Sequence, residues 1–399
     1  MKNLPAIEGG RPVRDEFLLF GRPQIHEDDI AEVVETLRSG WWGTGPRTRE
    51  FEKKFADFVG AKHALALNSC TAGMHLALDV LGVSSGDEVI TTPMTFVSTA
   101  NVIVHCGAKP VLVDVDKEIG NINAAKIEKA ITERTKVILP VHLHGRPCDM
   151  SAILAIARKH NLFVLEDAAH AIETWYHGQK VGTIGDITAF SFYATKNIAT
   201  GEGGMVTTNN IAWAEEMRIK SLHGISQDAW KRYSQAGFQS YEAAYPGYKY
   251  NMMDIQAALG LHQLTRLEEN WQIRNQYWQM YNEAFATLPE LILPAPDEAS
   301  TRHARHLYAI LIRPDKLRIN RGQFIDALKT ENIGTGVHFT ALHLHRWYRE
   351  TFGFKLGDFP NAEFISERTV SLPLSPALSK KDICNVIEAV EKIVSYYRK

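Results

Sequence analysis

The sequence predicts an α/β protein: a large domain built on a mainly parallel sheet, followed by a smaller C-terminal α/β domain. Three observations predict it. Between about residues 60 and 210, short apolar runs rich in β-branched residues alternate with helix-length amphipathic segments, the pattern of a parallel sheet with crossover helices on both faces. Past Asp254 the pattern changes to a long helical stretch and then to a sparser set of strands and helices. The chain has 399 residues, 45% hydrophobic and 23% charged, which is long enough for two or three domains and apolar enough to fill their cores.

In chain order, residues 63–67, 88–92, 110–115, 136–141 and 162–166 read as strands, being short, β-branched and bounded by turn residues. Residues 71–81, 96–106, 124–132 and 150–160 read as the helices between them. Ligands of such sheets lie beyond the carboxyl ends of the strands, which singles out residues 68–72, 93–96, 142–145 and 167–170. A helix over residues 255–285 leads out of the first domain, and the boundary is placed at residue 265, giving a large domain of residues 1–265 and a small one of 266–399. In the small domain residues 306–312 and 334–338 read as strands and 322–330 as a helix. In the last helix Ile383, Val386, Ile387, Val390, Ile393 and Val394 recur at three- and four-residue spacing, so that one face is expected to pack over a small sheet. The aromatic-rich stretch 226–250 is the most irregular part.

Lys and Arg number 44 against 46 Asp and Glu, a formal charge of −2. Nucleic acid and anionic membranes reward clustered positive charge, so neither is an expected partner. The four cysteines, Cys70, Cys106, Cys148 and Cys384, form no CxxC pair, which suits a reducing compartment better than a disulfide framework or zinc site. The N-terminus lacks the apolar core of a signal peptide, and no apolar run reaches the length of about 18 residues that spans a bilayer; a cytoplasmic location is expected. The 16 histidines do not gather at ligand spacing and HExxH is absent, so no metal site is expected.

Three segments carry chemistry. In FSFYATKNIATGEGGMVTTN, Lys196 follows a strand and precedes a turn with Gly201, Gly203 and Gly204. A P-loop places its glycines before the lysine, so this is not one. Most loop lysines are simply solvated, but one held among apolar and hydroxyl groups loses its charge more readily and serves as nucleophile and base. In LFVLEDAAHA, Asp167 ends a strand, where it either caps the next turn or, beside an active lysine, partners a pyridinium nitrogen. In NSCTAGMHLAL a strand ends in hydroxyl and small residues and opens a helix. The hydroxyls of Ser69 and Thr71 with the free N–H groups there make either a phosphate cradle or a plain N-cap.

Together these segments supply a phosphate site, a pyridinium partner and a Schiff-base lysine in the chain order of the aspartate-aminotransferase fold. With FGRPQIHEDDI, SGWWGTGPRTREFEKKFADFVG, GDEVITTPMTFVSTANVIV, VLVDVD, LPVHLHGRPCDM, PGYKYNMMDIQAALGLHQL and SLPLSP, they make the chain resemble, nearly end to end, the DegT/DnrJ/StrS family of sugar aminotransferases. TAGMH, PGYKYN and IGTGVHF bring it closest to the branch that aminates C4 of a UDP-4-keto-pentose in 4-amino-4-deoxy-L-arabinose synthesis. The resemblance implies a fold-type I enzyme using pyridoxal 5'-phosphate (PLP), with Lys196 forming the internal aldimine, Asp167 pairing with the pyridine nitrogen and His170 near the 3-hydroxyl. It implies that Phe96 stacks on the ring and that Ser69, Thr71, Ala72 and Ser191 contact the phosphate. Where many members read GYNYRM this chain reads GYKYNM. Lys249 thus replaces an asparagine that reaches the phosphate from the neighbouring subunit, and either Lys249 or Asn251 is left for that role.

The resemblance further implies glutamate as donor, released as 2-oxoglutarate, a nucleotide-linked keto-sugar as acceptor, and at least a homodimer. Trp41, Trp42, Thr44, Arg305 and His338 are expected to border the sugar nucleotide, against the alternative that they only pack. A sugar dehydratase of the family carries histidine at the lysine position, which Lys196 opposes. A non-catalytic regulator on the same scaffold would tolerate loss of Lys196 or Asp167. A fold-type I lyase or desulfurase would keep an arginine clamp for a substrate carboxylate, and no position in the sequence announces one.

Overall fold

In the computed structural model, which describes residues 4–225 and 242–399, two helices precede the alternating region, α1 (Glu27–Ser39) and α2 (Pro46–Val59). Then come β1 (His63–Leu67), α3 (Cys70–Val80), β2 (Glu88–Thr91), α4 (Ser98–His105), β3 (Lys109–Leu112), α5 (Ala124–Ile127), β4 (Thr135–Ile138), α6 (Met150–His160) and β5 (Phe163–Asp167). A small hairpin, β6 (Trp175–Tyr176) and β7 (Gln179–Lys180), leads to β8 (Ile187–Ser191), β9 (Gly204–Thr208) and α7 (Ile211–Lys220). Most of the stretch read as irregular, residues 226–241, lies outside the described residues.

Seven strands form the main sheet in the order β1-β9-β8-β5-β4-β2-β3. From β3 to β8 neighbouring strands are parallel, while β9 is antiparallel to both β8 and β1. The sheet is therefore mixed, because the loop carrying Lys196 returns the chain without the crossover helix that a parallel neighbour requires. Both faces are covered, as alternation along the strands shows: Val89, Val137 and Leu165 join the core under α3, while Ile90, Ile138 and Val164 join the one under α6. Near the lysine loop, Phe51 and Phe55 of α2 pack against Phe190 and Phe192.

The helix expected over residues 255–285 is two, α8 (Asp254–Thr265) and α9 (Leu267–Phe285). They break at Arg266, whose guanidinium is held by Asp28 at 2.8 Å and the buried Asp29 at 2.6 Å, both on α1. The rest comprises β10 (Leu291–Ile292), β11 (Thr301–Arg302), β12 (Tyr308–Ile312), α10 (Arg321–Thr330), α11 (Arg346–Phe352), α12 (Pro360–Ser366), β13 (Thr369–Leu372) and α13 (Lys380–Tyr397). Strands β10, β12 and β13 form an antiparallel sheet. On it lie α13, through Ile383, Val386, Val390, Ile393 and Val394, and α9, through Tyr277, Tyr281 and Phe285.

The strand expected at residues 334–338 does not form. Gly336 makes one bridge to Ser371 and Ile333 one to Leu18. A Cβ on Gly334 would lie 2.7 Å from the Leu18 carbonyl oxygen, so the glycines permit close backbone approach where a ladder would need side chains to pack. The N-terminal residues run along the C-terminal sheet unit: Ala6 and Val13 N–H groups donate to the Glu331 carboxylate, each at 2.8 Å, and Arg14 pairs with Asp382 at 2.6 Å. No helix among the described residues is long and apolar enough to cross a membrane.

Candidate active site

The carboxyl ends of β1, β2, β4, β5 and β8 open on one cavity of about 460 Å³, walled by residues that include Ser69, Thr95, His142, Asp167, Ser191 and Lys196. Asp167, the last residue of β5, is buried at its floor. The Thr99 hydroxyl donates to one carboxylate oxygen at 2.7 Å and the Ala169 N–H to the other at 3.1 Å. Burial raises the Asp167 pKa against the pull of those bonds and of the Lys196 and His142 charges. Each oxygen keeps a lone pair for a further donor.

Lys196 is held by its loop. The Lys196 N–H donates to the Tyr193 carbonyl at 2.8 Å. Three residues on, Gln263 of α8 brackets Ala199, accepting its N–H and donating to its carbonyl, both at 2.9 Å. Desolvation pushes the lysine amine down to about 8, with the Asp167 charge opposing. At neutral pH a useful fraction is therefore the free base. The helix start at the other end is equally fixed. Ser69 caps α3, its hydroxyl accepting the Ala72 N–H at 3.0 Å. That spends the Ala72 amide and leaves those of Cys70 and Thr71, with the hydroxyls of Ser69, Thr71 and Ser191, for an anion. Gly204 of β9 runs against this turn, where a Cβ would come within 2.4 Å of the Cys70 nitrogen.

His170 is buried and its tautomer follows from its neighbours. The His144 N–H donates to His170 Nδ1 at 3.2 Å, and since an amide can only donate, the neutral ring carries its proton on Nε2. Burial, then the Lys196 charge, lower its pKa and keep it neutral. The ring stacks on Phe339 at 6.0 Å and lies tilted against His306 at 4.3 Å. Behind it, Asn197 Nδ2 donates to Glu173 at 2.7 Å, Glu173 pairs with Arg274, and Asn197 Oδ1 faces His306 Nδ1 at 2.8 Å. Phe96 stands in the cavity wall with 59% of its surface exposed. His338 also walls the cavity; its Nδ1 lies 2.8 Å from the Ser371 hydroxyl, and burial pushes its pKa down to about 3.

The other sequence-derived residues are not brought here. Arg305 is turned away. Its guanidinium pairs with Asp297 at 2.7 and 3.0 Å and with Asn275 at 3.2 Å, over the Trp278 ring. Those partners lie on α9 and in the loop after β10, and they use the charge that was expected to meet a substrate. Trp41 and Trp42 are exposed, their indole N–H groups donating to the Thr44 and Leu37 carbonyls at 3.1 and 3.0 Å. Thr44 accepts a bond from Asn251 Nδ2 at 2.7 Å, and the Lys249 carbonyl accepts one from Asn68 at 3.2 Å. None of these residues walls the cavity of this chain. Sequence reasoning missed Thr99, Phe339, Asn197 and His306. Of these only Asn197, next to the lysine, carried a local signal.

A profile of the DegT/DnrJ/EryC1/StrS aminotransferase family matches residues 23–391. The spore coat polysaccharide biosynthesis protein SpsC of Bacillus subtilis is 53% identical over 96% of this chain and 98% of its own. Among solved structures, the PMP form of the putative sugar aminotransferase Spr1654 from Streptococcus pneumoniae matches with TM-score 0.89 and 35% identity, covering 95% of this chain and 99% of that one. DesI, solved in the presence of its TDP-sugar product, matches with TM-score 0.88 and 29% identity over 99% of this chain and 97% of that one.

Proposed function

The chain belongs to the DegT/DnrJ/EryC1/StrS aminotransferase family and is a PLP-dependent sugar aminotransferase of fold-type I, and on that premise we propose that it moves an amino group from glutamate to a nucleotide-linked 4-keto sugar. The product would feed polysaccharide or amino-sugar synthesis in the cytoplasm, as the relative SpsC is named for spore coat polysaccharide. The observation that carries the reading is one cavity holding a lysine with a depressed pKa, a buried carboxylate and a free helix start. This donor set fits PLP: an amine for its aldehyde, a carboxylate for its ring nitrogen, and hydroxyls and amides for its phosphate.

When bound, PLP supplies a ring that takes up the electron pair released at the donor's α-carbon. Asp167 keeps the proton on the ring nitrogen. His170 donates its Nε2–H to the 3-oxygen, and Phe96 lays its ring on the cofactor. Ser69, Thr71, Ser191 and the amides of Cys70 and Thr71 hold the phosphate. Lys196, freed by the donor, carries the proton between the donor's α-carbon and C4′ of the cofactor, a positioned transfer worth about 10²- to 10⁴-fold. Residues 1–265 serve as the cofactor domain and 266–399 as the small domain that brings His338 to the sugar.

Trp42, Thr44 and Lys249 or Asn251 serve the cavity of a second copy. Supporting this, Ile30, Val34 and Leu37 make an exposed apolar stripe along α1 that runs on into Trp41 and Trp42. TAGMH, PGYKYN and IGTGVHF are the grounds for a UDP-4-keto-pentose aminated at C4. The test is direct. Protein loaded with PLP is yellow and bleaches on adding glutamate with release of 2-oxoglutarate, and a panel of UDP-, dTDP- and GDP-linked 4-keto sugars restores the colour; loss of colour with no donor, or restoration by no sugar, refutes the assignment.

A further inference from the structure

Lys196 walls a second cavity, on the side of the lysine loop where the N-terminal segment crosses. It holds about 60 Å³ and shares Thr195, Lys196 and His338 with the first. Its walls include Arg22, Lys196, Arg266 and Arg274, and no aspartate or glutamate among the described residues. Two of the four cations are already matched, Arg266 by Asp28 and Asp29 and Arg274 in part by Glu173. Arg22 has no side-chain partner among the described residues.

Three further groups on these walls lack partners. Arg274 is 1% exposed; its Nε donates to the Arg305 carbonyl at 3.1 Å and its Nη2 is held by Glu173, yet its Nη1 has no hydrogen-bond acceptor among the described residues. Gln24 leaves its buried Oε1 without a donor. The Asn270 side chain, 7% exposed, makes no hydrogen bond among the described residues. Buried polar groups are rarely left unpaired, and an unmatched guanidinium N–H beside amides and a second arginine is the donor set that receives a carboxylate. The segment carrying Arg22 and Gln24 is seated firmly: Gly21 lies so close to the lysine loop that a Cβ would come within 2.7 Å of the Thr195 side chain.

We propose that this cavity, between Arg22, Gln24, Asn270 and Arg274, seats a carboxylate of the amino donor. The inference rests on the aminotransferase reading above and deepens it by naming the residues that meet a carboxylate of the amino donor. Size supports it. A water needs roughly 10–15 Å³ of such space, so the cavity takes a carboxylate with a methylene or two and is far too small for a nucleoside diphosphate. Position supports it too, since a carboxylate seated against Lys196 keeps the donor's amine beside the larger cavity. The Gln24 and Asn270 amides can turn to present Nε2 or Nδ2 to the anion, because their two ends are interchangeable by rotation.

Two measurements test it. Cofactor-free protein is titrated with glutarate by calorimetry, and PLP-loaded enzyme is mixed with rising glutamate while bleaching is followed. Gln24→Glu and Asn270→Asp each place a negative charge on the wall, and Arg22→Gln removes a positive one. Each is expected to weaken glutarate binding at least tenfold and to raise the half-saturating glutamate at least tenfold. The limiting bleaching rate stays within a few-fold, as loss of uniform binding requires. Saturable glutarate binding that the variants weaken supports the subsite. Absence of glutarate binding, or unchanged half-saturation in all three variants, overturns it and leaves the cavity to water. Wild-type enzyme that fails to bleach with any amino donor overturns the aminotransferase reading instead, and glutarate binding then decides the carboxylate site alone.

Discussion

The floor of the main cavity and the surface beside α1 are equally rich in motif residues, yet they are built in opposite ways. At the floor, Asp167, Ser69 and Lys196 are half-buried or buried, and each is pinned by bonds from its own chain. At the surface, Trp41 and Trp42 face solvent, and Ile30, Val34 and Leu37 of α1 are exposed among the described residues. The contrast is that this chain by itself gathers Asp167, Ser69, Lys196 and His338 around one cavity, whereas Trp41 and Trp42, also expected at the sugar, are left facing outward.

The sharpest way to break that contrast is at the floor. Lys196→Ala is expected to lower turnover by roughly 10³-fold or more, the loss of both the nucleophile and the base, while thermal unfolding of the cofactor-free protein stays near that of the wild type. In the wild type the amine sits at about 8 because burial disfavours its charge. The sign follows: below that pH the protonated amine is inert, so the rate at which cofactor-free protein captures PLP rises with pH through about 8 and levels off above. A flat stopped-flow profile between pH 6 and 9 would contradict the assignment.

The surface is the next largest lever. Val34→Glu with Leu37→Glu puts charge on the exposed stripe of α1 and is expected to convert a dimer to monomer in light scattering, with activity falling at least tenfold. If the protein stays dimeric and active, the second copy does not dock there. Within an intact dimer, Lys249→Ala and Asn251→Ala then separate the two phosphate candidates, the true one weakening PLP binding about tenfold, or about 1.4 kcal/mol.

Arg305 provides the smallest effect. Removing its charge with Arg305→Gln leaves a partly exposed Asp297 unpaired, which costs about 1–2 kcal/mol of stability by denaturant melts. The KM for the sugar nucleotide is expected to stay unchanged, because the side chain walls neither cavity. A raised KM with unaltered stability would restore Arg305 to the substrate site.

Much of this was legible in the sequence. Five strands of the main sheet, β1 to β5, start or end within a few residues of their expected places, because buried strands announce themselves as apolar runs. The exposed-to-buried rhythm of α13 placed its packing face for the same reason. What failed, failed on contacts between distant residues. The helix over residues 255–285 looked continuous until Arg266 met the acidic start of α1. Residues 334–338 have strand-like composition, but their two glycines serve close passage beside Leu18 and β13. Arg305 looked free because Asp297 and Asn275 gave no pattern that pointed to it.

The sequence by itself determined which chemistry the chain could perform: a lysine after one strand, a carboxylate at the end of another and a hydroxyl-rich helix start, each recognisable because its residue type and its place on a strand are local properties. Tertiary structure decided what those groups meet. It set the proton of His170 through an amide from another loop, withdrew Arg305 and drew the N-terminal segment across Lys196 to close a cavity lined by cations. Those outcomes depend on side chains far apart in the chain arriving at hydrogen-bond distance, which no local pattern encodes.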